Sequence, residues 1–232
     1  MQTSGEQLLL QGQQLREAGK TLEAIDYLNK AMQTFVIEHN YARFAHALLD
    51  RGICWQHLYQ LNENNIAFAI LYKKDAEAML DLLTIKNIDE ELDGAYFMNA
   101  KAAMVFGEYQ MAVEFFNKAI EKLSPKKNAQ RGDWQTNLGN ALYFSGQKEQ
   151  GLQTMLNGIE QIKKYANEVD EYTLKIWLSG AYLRLAEVSQ QYNPDQSKNY
   201  LEMAQNLIGN DPKFVVRKKQ IDNFMKTKTS GI

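Results

Sequence analysis

The chain has 232 residues, 45% of them apolar and 23% charged, and 26 basic against 28 acidic side chains leave a net charge of −2. That length supports one large domain or two small ones with a core that needs no staples, and the charge balance argues against nucleic acid or an anionic membrane as partner. A single cysteine, Cys54, excludes an internal disulfide and a multi-cysteine zinc site, and the longest early apolar run, Leu8-Leu9-Leu10, is too short for a signal-peptide core or a membrane span, so a cytoplasmic protein is expected.

Three prolines, Pro125, Pro194 and Pro212, leave long stretches without breakers, and apolar residues within them recur three or four apart, which predicts an all-α protein. A first helix opens at the capping-box pair Ser4 and Gln7 and runs to Ala18, where Gly19 stops it; a second pattern starts at Thr21. Gly12, Ala100 and Gly139 are each followed seven residues later by glycine (Gly19, Gly107, Gly146). Twelve residues on stand Ala24, Ala112 and Gly151, and nineteen on stand Ala31, Ala119 and Gly158. Facing side chains this small let antiparallel helices approach closely, and the turn glycine supplies positive φ. Leu28, Phe116 and Met155, sixteen past each anchor, fill the space between.

The segments 14–32, 99–125 and 138–158, with Asn137-Leu138-Gly139-Asn140-Ala141-Leu142-Tyr143 for a first helix and 112–120 for a second, resemble tetratricopeptide repeats. Two looser copies complete the series. In 48–83, Gly52 is the anchor, and the small pair falls late at Ala69 and Ala76, so its first helix is expected to be longer by more than a turn. In the fifth copy Ala186 is the anchor, Asn193-Pro194-Asp195 the turn and Ala204 the later small residue. Anchors are spaced 40, 48, 39 and 47 residues apart, against about 34 in the family. The expected architecture is a right-handed α-solenoid of about five antiparallel helix pairs over 1–211, with repeats near 5–38, 40–86, 89–126, 129–168 and 170–209. An amphipathic capping helix over 212–228, carrying Phe214, Ile221, Phe224 and Met225, and a tail at 229–232 follow.

Nothing in the sequence spells catalysis. Nucleotide-binding glycine motifs and nucleophile elbows are absent from it. His39, His46 and His57 fall near one helical face but lie roughly 10 and 16 Å apart along it, too far to share a zinc ion. Cys54 reads as a buried, inert thiol, and Glu90-Glu91 and Asp170-Glu171 read as favourable charge at helix starts. Neither metal nor cofactor is expected. Residues 212–232 carry six basic side chains against Asp222 alone, a charge of +5 on a body of −7, read as a basic cap or as an arm for an acidic partner.

The resemblance implies that first helices line a concave groove through repeat positions 2, 5, 9, 12 and 13. It assigns Glu6, Leu9, Gln13, Arg16 and Glu17 to the first repeat, and His46, Leu49, Ile53, Gln56 and His57 to the second. The third contributes Gly94, Phe97, Lys101, Met104 and Val105, the fourth Asp133, Thr136, Asn140, Tyr143 and Phe144, and the fifth Gly180, Leu183, Glu187, Gln190 and Gln191. The expected binding residues are Leu49, Ile53, His57, Phe97, Lys101, Met104, Asn140, Tyr143 and Phe144, with Phe97, Tyr143 and Phe144 as anchors. A carboxylate clamp is incomplete: Lys101, Asn137, Asn140 and Arg184 are present, but Phe97 and Gly180 stand where other clamp residues belong. Two uses stay open, a groove for an apolar segment or ordinary core, and the tail helix could itself fill such a groove. The expected function is a non-enzymatic scaffold or adaptor for a protein or peptide with apolar or aromatic anchors; the alternative is a sensor whose curvature changes when a peptide binds.

Overall fold

A computed structural model describes residues 3–62 and 64–229, so that Glu63, in the second repeat's turn, and 230–232 of the expected tail lie outside it. Among the described residues there are eleven α-helices and no strand. They are α1 (Gly5–Glu17), α2 (Thr21–Ile37), α3 (Tyr41–Leu61), α4 (Ile66–Lys86), α5 (Leu92–Val105), α6 (Tyr109–Lys122), α7 (Asn128–Phe144), α8 (Lys148–Lys164), α9 (Glu171–Ser189), α10 (Pro194–Ile208) and α11 (Val215–Thr229). The chain divides into two compact units, the first ending at Glu108 and the second beginning at Tyr109. That boundary falls between α5 and α6, within the span 89–126 expected as one repeat.

In the first unit α1 packs on α2 and α3 on α4, with α5 following α4. Ser4 caps α1 in a reciprocal box with Gln7, and Gly19 reverses the chain at φ +75°. Gly12 lies against the Leu28 side chain and the Ala24 carbonyl, while Ala24, Ala31 and Phe35 are fully buried on α2. The lengthened first helix of the second repeat is present: α3 has 21 residues against 13 in α1, and its partner α4 matches it at 21. Asn99 fixes α5 to α4 by donating to the Ala76 carbonyl at 2.8 Å. Leu28, Phe35, Leu48, Met79 and Leu83 form this unit's core.

In the second unit α7 packs on α8 and α9 on α10. The α7–α8 contact is made by backbone. A Cβ on Gly139 would lie 2.6 Å from the Gly151 carbonyl oxygen, and one on Gly158 would lie 2.6 Å from that of Gly132. Gly132 was not among the predicted small positions. Asn193 caps α10 and Pro194 occupies its first turn, where a missing N–H costs nothing, so Pro194 and Asp195 belong to the helix and not to the turn. A short 3-10 turn, Pro212–Phe214, leads into α11. The predicted apolar face of this last helix is only partly correct: Phe214, Ile221 and Phe224 are buried, but Met225 is 37% exposed.

Candidate functional site

Within the first unit, Leu49, Ile53 and His57 follow one another at intervals of four on α3, and Phe97, Lys101 and Met104 share a face of α5. The two helices meet where Leu49 lies over Gly94, Cδ1 being 3.0 Å from where a Cβ would stand. All six side chains are half-buried, and Leu49 also packs against the core. Leu9, assigned to the groove by register, is 1% exposed and belongs to the core, because Gly12 and Ala24 draw α1 close to α2.

A polar network missing from the sequence reading covers the same face of α1, α3 and α5. Asp50, 2% exposed, accepts from Arg16 and from Gln13 at 2.7 Å; Glu6 takes Arg43 through both guanidinium branches. His46 sits between Glu91 (Nδ1 to Oε1, 2.9 Å), Gln13 (3.3 Å) and Asp50 (3.7 Å). The register places Glu6, Gln13, Arg16 and His46 on one face, and the sequence signal it passes over is Asp50, two residues before a core glycine on a helix, where a carboxylate needs a cation. Glu91 stands at the start of its helix and has a second role. It is the N-cap of α5 in the left-handed region at φ +66°, and its carboxylate makes no cap bond but holds His46. His46 is therefore a structural group and not a free neighbour of the apolar face.

The hydrogen bond to Glu91 raises the His46 pKa above the ordinary value, helped by the Glu91 and Asp50 charges and opposed by burial and by Arg43. A raised folded-state pKa contributes stability that is complete below about pH 6.5 and is lost as pH rises through the folded value. Replacing Glu91 with glutamine should therefore destabilise the chain more at about pH 6 than at about pH 8 in urea unfolding. An equal loss at both values would show that the pair does not carry the proton.

In the second unit, Asn140, Tyr143 and Phe144 occupy the last turns of α7. The Tyr143 hydroxyl donates to the Val188 carbonyl of α9 at 3.1 Å, so this predicted anchor also braces α7 against α9. Phe144 is 42% exposed, stacked on Tyr109 at 5.3 Å and edge-on to Tyr143 at 5.6 Å. Asn140 has its Oδ1 buried without a hydrogen-bond partner. Leu183, another register position, is core at 4% exposure.

Two members of the partial clamp set, Asn137 and Arg184, are used structurally. Asn137 donates to the Asp133 carbonyl at 2.9 Å, and Arg184 donates to Thr136 Oγ1 at 2.5 Å with Asp133 3.6 Å away. Burial lowers the Arg184 pKa, with Asp133 and Glu187 opposing the shift. Next to it Arg217 of α11 lies on Gly180, donating to the Ile176 carbonyl at 3.1 Å, and the last helix thus covers part of the groove-register face of α9.

Cys54 is fully buried, and burial pushes its thiol up to about 12, which leaves essentially no thiolate near neutral pH. His39 sits in the α2–α3 turn at φ +54°, off the helix that carries His46 and His57. Among the described residues no group of three His, Cys, Asp or Glu side chains is placed to hold a metal ion, and no helix is long and apolar enough to cross a membrane. Asp170 does cap its helix, accepting from the Thr173 N–H at 2.9 Å.

No protein-family model and no curated protein matches the sequence. Among solved structures, a Podosopora anserina protein described as a kinesin light chain with nearly identical TPR-like repeats matches with a TM-score of 0.55 and 14% identity over 100% of both chains. A point variant of that protein matches with a TM-score of 0.58 and 14% identity, over 88% of this chain and 93% of the other. Paired helices, small residues at their contacts and turns at the predicted glycines agree with that likeness. The chain has the tetratricopeptide-type helical-repeat fold.

Proposed function

We propose that this chain is a non-enzymatic scaffold or adaptor that binds a protein or peptide segment through apolar side chains on its first helices. The carrying observation is the α3–α5 face, where Leu49, Ile53, Phe97 and Met104 are only half-buried beside a core of fully buried residues such as Leu28, Met79 and Leu83. Apolar groups left part-exposed at successive helical turns suit an extended or amphipathic segment with a few aromatic or aliphatic anchors. Phe144 offers a comparable contact on α7. Folds of this type generally mediate protein–protein interaction, which supports the same reading. It includes no cofactor, metal, nucleic acid or membrane.

The test has two steps. Affinity capture from the source cell identifies a partner, and Phe97→Ala is then expected to weaken that partner by at least about 1 kcal/mol, roughly fivefold, with thermal unfolding unchanged. If Phe97→Ala lowers the melting temperature without selectively weakening binding, Phe97 is core and the groove assignment fails. Scattering with and without the partner peptide separates the scaffold, whose radius stays constant, from the peptide-gated sensor, which compacts.

A further inference from the structure

Helix α11 is held to the second unit by opposing contributions. Phe214, Ile221 and Phe224 are buried in the core formed with α9 and α10, and Phe214 stacks on Tyr172 at 5.1 Å. These contacts favour docking. On the same helix Arg217 donates to Ile176 of α9 at 3.1 Å and to Gln220 of its own helix at 2.6 Å, leaving Nε buried without a partner. The guanidinium fits only because residue 180 is glycine: a Cβ there would lie 2.6 Å from Nη2. Arg184, close by, also has its Nε buried without a partner.

A buried cation with incomplete hydrogen bonding, beside a second cation, loses more hydration than it regains. Burial and then the Arg184 charge push Arg217 down to about 10, with Asp133 and Glu187 opposing. The arginine therefore works against the docking that the aromatic rings favour. The chain reaches α11 through Gly209, at φ +50° and ψ −141°, a backbone conformation open to glycine that makes a natural hinge. Tyr172, Ile176, Gly180 and Glu187 lie along one face of α9, and two of them, Gly180 and Glu187, are groove-register positions.

We propose that α11 is a releasable cover over the groove face of α9, docked by Phe214, Ile221 and Phe224 and loosened by the buried guanidinium of Arg217. The purpose of such a cover rests on the reading of first-helix faces as partner sites. Its release is measured with no partner present, so either idea can fail without the other.

Amide hydrogen exchange on the full chain tests it. In the unsubstituted protein α11 should exchange through an opening that leaves α9 and α10 protected. Arg217→Met keeps an apolar stem and removes the charge, and should slow α11 exchange by at least about tenfold. Gly180→Ala favours the α9 helix and displaces only the flexible end of Arg217 into water, and should likewise slow α11 exchange while α9 keeps its protection. The proposal is overturned if α11 exchanges only together with α9 and α10, if either substitution fails to move it in the stated direction, or if Gly180→Ala strips protection from α9 as well.

Discussion

Replacing Arg51 with methionine should destabilise the chain by about 3 kcal/mol, among the largest effects available from one side chain. Asp75, 6% exposed on α4, is held by both branches of Arg51 from α3 (Nε at 2.8 Å, Nη2 at 2.7 Å) and by the Trp55 indole N–H at 3.0 Å. A third branch of Arg51 reaches Asn29 of α2 at 2.6 Å, so one guanidinium ties three helices together. Methionine fills similar space but leaves a buried carboxylate with the indole as its remaining donor among these contacts, and the cost is the unpaired charge more than the lost bonds. The double variant Arg51→Met/Asp75→Leu should recover most of the loss, retaining about 1 kcal/mol for the indole N–H left without an acceptor. Urea midpoints of the three proteins decide the matter. A single variant within about 1 kcal/mol of the parent would mean that water reaches Asp75 and that the node is not a buried pair.

A second large effect is expected where α7 meets α8. Gly151→Ala adds a Cβ 2.6 Å from the Gly139 carbonyl oxygen and 2.6 Å from the Tyr143 nitrogen, both backbone atoms that can yield only if the helices separate. Alanine gains about 1 kcal/mol in helix propensity, but overpacking against rigid backbone costs about 3 kcal/mol and loosens Met155 and Ile159 behind it, so a net loss near 2 kcal/mol is expected. In a chain of this size that lowers the melting temperature by about 4 to 8 °C. Gly94→Ala is the internal control. Its new Cβ meets only the end of the Leu49 side chain at 3.0 Å, which can rotate away, so that variant should melt at or above the parent temperature. Equal losses at both positions would contradict a backbone-on-backbone contact in α7–α8.

Helix content, the turns at Gly19, Gly107 and Gly146, the capping box at Ser4 and the long α3 were legible because each depends on residues near in sequence or on a repeated spacing of small side chains. The register also located half-exposed positions such as Phe97 and Phe144. It failed at Leu9 and Leu183, which share that register yet are buried, since exposure depends on how closely the neighbouring elements approach. The polar nodes were illegible for a related reason. Asp50 finds Arg16 across 34 residues, His46 finds Glu91 across 45, and Arg184 finds Thr136 across 48.

By itself the sequence determined an all-α chain of paired helices, several of its caps and turns, and many of the small residues at helix contacts, because backbone propensity, caps and close-packing spacing are local properties. Only the tertiary structure decided which carboxylate meets which cation, that Glu91 turns its carboxylate from the α5 cap position to His46, and that Arg217 comes to rest on Gly180. Those outcomes require burial: a charge removed from water is stable only beside an opposite charge or a donor, and which one it reaches is set by the packing of helices distant in the chain.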